Sequence, residues 1–187
     1  MTGGSGTPPS AVLRALVADA VDGDLADDAV RVVGRTGDGD GGPRSRRPSD
    51  AAPVDLLVEA VGGADSLVAV VPRIDAGLAG RLDAALERDG PESVDARIVF
   101  TGRAADRLRG ATGSVARAAL AARGVETYRH DGDSPVAVVL ADDRAAVALV
   151  DDDGVAALLA SDAPAVREWA AATCGRYLAA ADPVSEA

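Results

Sequence analysis

Hydrophobic positions recur along this chain in two different rhythms. Near the amino terminus, Val12, Leu13, Leu16, Val17 and Val21 follow helical spacing behind Ser10, which predicts a helix over 10–21 capped by that serine. Ala29–Val33 predicts a strand. A regular alternation then sets in. Pro53–Val61 predicts a helix, Ser66–Val71 a buried strand, and Asp75–Arg88 a helix using Leu78, Leu82, Ala85 and Leu86. Arg97–Thr101 is the next strand, Ala104–Arg123 a helix broken at Gly110–Gly113, and Val125–Arg129 a third strand. Strands separated by helices pair in parallel through right-handed crossovers. The last third abandons that rhythm: Pro135–Leu140, Ala145–Val150 and Val155–Ala160 are apolar runs parted only by Ala141-Asp142-Asp143 and Asp151-Asp152-Asp153-Gly154. Such short gaps leave no room for crossovers, so these strands must pair antiparallel at one side. A closing helix starts from Asp162 with Pro164 in its first turn and turns Val166, Trp169, Thr173, Tyr177 and Ala180 inward. The predicted class is α/β: a mixed sheet with parallel βαβ units, a C-terminal antiparallel hairpin region and a closing helix.

Between these elements the chain punctuates itself. Residues 1–9 are rich in Gly, Thr and Pro and are expected to be disordered, and 10–34 to form a helix and a strand. Residues 35–52 read as a Gly/Asp/Pro/Arg loop that buries nothing, 53–182 as one α/β domain, and 183–187 as a tail.

Composition sharpens this picture by exclusion. Of 187 residues, 48% are hydrophobic, enough for one sizeable core. Aromatics are 2%, so that core must be Val, Ala and Leu, with Phe100, Tyr128, Trp169 and Tyr177 as its few large fillers. The formal net charge is −11, and all nineteen bases are arginine. A lysine-free, Asp-crowded surface suggests a halophile, whose proteins stay soluble in concentrated salt through hydrated carboxylates. Without lysine, Schiff-base chemistry, Walker-type phosphate loops and paired His-x-Lys sites are excluded. One histidine, His130, and one cysteine, Cys174, exclude the usual Cys/His zinc sites. Cys174 is expected to be an apolar filler in a reducing cytosol. No basic, apolar leader and no ~20-residue apolar run occur, so a cytoplasmic protein without membrane contact is expected, and no cofactor is implied.

Three motifs reduce to bland readings. Residues 37–42, GDGDGG, satisfy a dinucleotide-loop spacing, but Pro43 and Pro48 deny the following helix, and Asp38 and Asp40 repel phosphate. Asp151–Gly154 lacks the alternate acids and distal Glu of a calcium loop and reads as a turn. Arg44, Arg46 and Arg47 sit between prolines with no recognition helix and read as a solvated loop.

Charge placement is more telling. Arg97 to Arg129 contains seven arginines against Asp106 and Glu126, a local +5, while Asp131 to Asp162 has eight aspartates against Arg144, a local −7. Mutual neutralisation is one reading; an anion pocket is the other. Ligands of open parallel sheets sit beyond the carboxyl ends of the strands. The residues leaving those ends are Pro72-Arg73, Thr101-Gly102-Arg103, and His130 with Ser134 nearby. Arg73 and Arg103 can clamp a carboxylate or phosphate through forked hydrogen bonds, with Thr101, His130 and Ser134 completing the candidate ligand site. No catalytic or metal-binding residues are assigned.

Residues from about Glu59 to Ala180 resemble the effector domain of archaeal winged-helix transcriptional regulators of the methanogenesis/filament-regulator type, related to TrmB-like regulators. The likeness rests on AVGGADSLVAVVP, on YRHDGDSPVAVVLADDRAAVALVDDDG, and on the closing SDAPAVREWAAATCGRYLAAA, in that order and spacing. A haloarchaeal group resembling the TrmB suppressor TbsP ends similarly. The resemblance implies a ligand-sensing, dimerising domain with a phospholipase-D-like or TrmB-effector-like fold. Residues 1–58 are too short and acidic to supply a winged helix, and the first helix offers a phosphate backbone only Arg14. The expected protein is therefore a non-enzymatic sensor of a small anionic metabolite. It pairs with itself or with a winged-helix regulator and does not touch nucleic acid directly. The alternatives are a structural interaction module and a degenerate phospholipase-D-like phosphodiesterase using His130.

Overall fold

The computed structural model describes residues 7–23, 25–26, 29–35, 53–73, 80–81, 84 and 94–184. Among them the strands are β1 (Val30–Gly34), β2 (Ser66–Val71), β3 (Asp95–Phe100), β4 (Val125–Arg129), β5 (Ala137–Ala141), β6 (Arg144–Asp151), β7 (Gly154–Ser161) and β8 (Asp182–Pro183). They join one sheet in the order β1-β7-β6-β5-β2-β3-β4-β8. Only the β2–β3 and β3–β4 pairs are parallel, and β5, β6 and β7 form an antiparallel meander docked on β2. The helices are α1 (Pro9–Ala20), α2 (Pro53–Val61), α3 (Gly102–Arg107), α4 (Gly110–Ala121) and α5 (Pro164–Ala179).

One apolar row runs across the sheet. Val32, Leu159, Val147, Val138, Val70, Val99 and Tyr128 stand opposite one another from β1 to β4. Side chains alternate faces along a strand, so this row commits one face to a Val/Leu core, which α1 and α5 cover with Leu13, Val17, Val166, Ala170 and Cys174. The neighbouring row is built of smaller residues, Ala160, Ala146, Val139 and Ala69, and faces Leu56, Leu57 and Val61 of α2. Further along that face, α3 closes a smaller cluster around Phe100, Ala104, Ala105 and Leu108, against which Leu120 of α4 packs.

The details of several elements differ from the sequence reading. Helix α1 begins at Pro9 with Pro8 in the cap position, and Ser10 is already inside it; a proline at the first helical position loses no hydrogen bond and is preset in φ. Helix α5 likewise begins at Pro164 after Ala163, and Asp162 stays exposed outside. Its buried stripe is Val166, Ala170, Thr173 and Cys174; Trp169 and Tyr177 sit at the margin and Ala180 is exposed. Small residues let the helix approach the strands closely, and the large rings are displaced to its edges. Of the expected aromatic fillers, only Phe100 is fully buried. The break between α3 and α4 falls at Leu108-Arg109, and Gly110 opens the second helix. Pro183 belongs to β8 rather than to a tail. Of the helix expected over Asp75–Arg88, residues 80, 81 and 84 are described, and these are helical; the loop motifs at 37–42 and 44–47 lie outside the described residues. No described helix is long and apolar enough to cross a membrane.

Candidate functional site: an arginine clamp closed by an internal carboxylate

Topology decides what gathers at one end of the sheet. β2, β3 and β4 are parallel, so their carboxyl ends point the same way. β5 runs opposite to β2 and β6 opposite to β5, which brings the turn from β6 into β7 to that same end. The chain leaving β4 must also cross the ends of β3 and β2 to enter β5 on the far side. Two loops therefore meet over the strand ends, where open α/β sheets place their ligands.

The first is the β6–β7 turn. Arg73, one residue past Pro72 at the end of β2, donates from Nη1 to Asp152 Oδ1 at 2.7 Å. Arg103, in the first turn of α3, donates to the same oxygen at 2.6 Å. The two arginines thus clamp a carboxylate belonging to the chain itself. Asp151 anchors the turn beneath it, accepting from the Asp153 N–H at 2.9 Å and pairing at two points with Arg35 at 3.3 and 2.6 Å. The hydrogen bond from Arg35 holds the Asp151 carboxyl below its ordinary range, and the same contact raises Arg35. Gly154, at φ 106°, supplies the left-handed residue that returns the chain into β7. A small cleft beside the clamp is lined by Arg73, Arg103, Arg107, Val150 and the turn.

The second is the crossing loop, 130–136. His130 Nδ1 accepts from the Gly132 N–H at 2.9 Å, and its ring meets the Tyr177 ring edge-on at 5.0 Å. Tyr177 donates its hydroxyl to the Asp133 carbonyl at 3.1 Å. Ser134 Oγ donates to the Val136 carbonyl at 2.7 Å. Gly102, at φ +47°, donates its N–H to the Gly132 carbonyl at 3.1 Å, while the Asp133 carboxylate rests against its Cα.

The five sequence-predicted residues consequently separate into two groups. Arg73 and Arg103 converge on one point. Thr101 lies under the loops, fully buried, with its N–H donated to Val71 and its Oγ1 without a protein partner. His130 and Ser134 organise the crossing loop, with His130 turned toward α5 on the opposite face from α2. Sequence reasoning missed Asp152, which it read only as part of a turn, and Asp133. The signal that could have found Asp152 was the acidic segment following the basic one, since Arg103 with Asp152 and Arg129 with Asp131 at 3.6 Å pair across those segments.

The mixed α/β sheet, with its parallel and antiparallel strands and C-terminal helix, resembles phospholipase-D-like and TrmB-effector-like architectures. The model of the family described as the middle domain of the methanogenesis regulatory protein FilR1 matches residues 51–180, and the chain belongs to that family. Among solved structures it is similar to TrmBL2, an archaeal chromatin protein described as showing a novel mode of DNA binding. The TM-score is 0.54 at 15% identity over 93% of this chain. The match spans 61% of the TrmBL2 chain. It is also similar to Nuc, a phospholipase D family member from Salmonella typhimurium, with a TM-score of 0.56 at 17% identity over 83% of this chain and 97% of that one. No curated protein matches the sequence. At these identities the structural likenesses concern the fold.

Proposed function

We propose that this chain is the ligand-sensing domain of a transcriptional regulator, binding a small anionic metabolite and carrying out no reaction of its own. The observation that carries this reading is the single carboxylate oxygen of Asp152 shared by Arg73 and Arg103. A ligand carboxylate or phosphate has the same shape and charge, and can take that place. The clamp is solvent-accessible: the Asp152 and Arg103 side chains are 75% and 66% exposed. Ion pairs of this kind are worth about 0–1 kcal/mol, so displacing Asp152 costs little. Once displaced, Asp152 releases the β6–β7 turn, and β7 packs against both α1 and α2, so both faces of the sheet receive the change. A lysine-free chain whose one histidine is bound within its own loop supports the non-enzymatic reading.

Membership of a regulator family supports a partnership, as a homodimer or with a winged-helix protein that makes the DNA contact. The acidic, lysine-free surface supports a haloarchaeal cytoplasm as its setting.

Titration with inorganic phosphate and citrate tests the clamp. Asp152→Asn removes the internal competitor and should tighten anion binding by up to about fivefold, the equivalent of one exposed ion pair. Arg73→Gln and Arg103→Gln should each weaken it by a similar factor, and the double variant further. Equal stabilisation of all these proteins by phosphate contradicts the reading. A chain that is strictly monomeric in multimolar KCl and captures no winged-helix regulator contradicts the partnership.

A further inference from the structure

Two backbone hydrogen bonds flank Arg103. On one side the Ala104 N–H donates to the Pro72 carbonyl at 3.0 Å, next to Arg73. On the other, the Gly102 N–H donates to the Gly132 carbonyl at 3.1 Å, so the residue preceding Arg103 hangs from the crossing loop. Gly132 is held in turn by its own N–H, which donates to His130 Nδ1 at 2.9 Å. A relay of two hydrogen bonds therefore runs from the imidazole to the backbone of the clamp. The backbone of His130 is fixed, with its N–H on the Phe100 carbonyl at 2.9 Å, and its ring stands edge-on to Tyr177. A change at Nδ1 consequently falls on the loop.

A ring nitrogen that accepts a hydrogen bond carries no proton, so this arrangement belongs to the neutral imidazole. Protonation of Nδ1 turns the acceptor into a donor facing another donor, and the bond to Gly132 must open. Histidine is the side chain that ordinarily changes charge between pH 5 and 8, and this chain holds one. The other charged or titratable groups on the elements around the ring are Arg129 on β4, Asp131 and Asp133 on the loop, Arg176 and Tyr177 on α5, and Asp182 opposite Arg129 on β8. Carboxylates, guanidinium groups and phenols ordinarily keep one charge state across that range, which leaves the imidazole as the group that switches. We infer that His130 is a proton-operated latch on the anion clamp. Neutral, it holds the crossing loop on Gly102 and keeps Arg103 beside Arg73. Protonated, it releases the loop, and the clamp loses the hold on one of its two arginines. This inference rests on the clamp reading above and adds to it a regulation of that site by pH.

Sulfate, a dianion throughout this range, is the probe, titrated calorimetrically into the full chain. Wild type should bind it about three- to tenfold more weakly at pH 5.5 than at pH 8, the worth of one hydrogen bond. His130→Asn puts an amide oxygen where Nδ1 stood, in a turn that asparagine itself favours, and should bind at pH 5.5 as wild type does at pH 8. His130→Ala lacks the acceptor and should bind weakly at both. Binding and protonation are reciprocal, so sulfate added at pH 6 should move the single imidazole resonance of wild type toward its neutral position. An affinity that falls equally in wild type and His130→Asn overturns the latch and leaves the clamp. So does an affinity that rises in acid, as plain attraction to a cationic imidazole requires. Sulfate binding at pH 8 that Arg73→Gln does not weaken overturns the clamp, and the latch with it.

Discussion

Gly102 shows how narrowly the site is built. Its positive φ and the Asp133 carboxylate against its Cα both require a residue without a side chain. Gly102→Ala should therefore lower stability by about 1–3 kcal/mol in denaturant unfolding, the range for a non-glycine residue in left-handed backbone. Adding Asp133→Ala should restore the steric part and leave the backbone part. At Cys174 the constraint is burial. Its Sγ lies 3.8 and 3.9 Å from the Val68 and Val138 carbonyls, and desolvation pushes the thiol up to about 12 from 9.0. A raised folded value stabilises the protein fully below pH 9 and loses that contribution as pH climbs toward 12. Stability should fall more steeply over that window in wild type than in Cys174→Ala, where the raised Tyr128 phenol still titrates, and the native thiol should resist disulfide reagents at pH 8. Rapid labelling of folded protein contradicts the packing. At this scale the sequence was partly legible: Arg73 and Arg103 declared themselves by following strand ends. Asp152 did not, because a run of three aspartates is equally an ordinary turn and only the folded register separates them.

At the scale of elements, the β6–β7 turn is the piece that Arg73 and Arg103 hold through Asp152. Asp151 and Arg35 fasten its base, and the lowered carboxyl of Asp151 sets the sign of its pH response. A depressed value contributes stability above the ordinary carboxylate range, and the contribution disappears as pH falls below about 4 through the folded value. Melting temperature should therefore drop more steeply between pH 5 and 3 in wild type than in Asp151→Asn. Because both partners are substantially exposed, the difference should stay within about 1 kcal/mol. Identical acid profiles for the two proteins contradict an anchored turn. Most elements were readable from period and punctuation. The rotation of the α5 stripe from Trp169 and Ala180 toward Ala170 and Cys174 was not, since hydrophobicity alone cannot tell that a close helix–sheet approach favours small side chains.

For the whole molecule, the mixed character of the sheet followed from spacing alone: helices between strands forced parallel pairing, and the four-residue gaps at 141–144 and 151–154 forbade it. The edges were hidden. Val30 pairs with Ser161 and Tyr128 with Pro183, contacts set by global packing that leave no local signature. Net charge also acts at this scale. With a formal −11 and a Debye length of about 3 Å at 1 M salt against about 30 Å at 0.01 M, repulsion among the acids should be screened only at high salt. Melting temperature should accordingly rise from dilute buffer to 2 M KCl, and a protein equally stable in both contradicts that account. The central claim is that Asp152 holds the place of a ligand. It is tested most directly by following the ¹³C resonance of the Asp152 side-chain carboxyl while inorganic phosphate is added. The account predicts a saturable shift toward the solvated value, with the same midpoint as calorimetry and a higher midpoint in Arg73→Gln. Ligand binding that leaves the Asp152 resonance unmoved would contradict it.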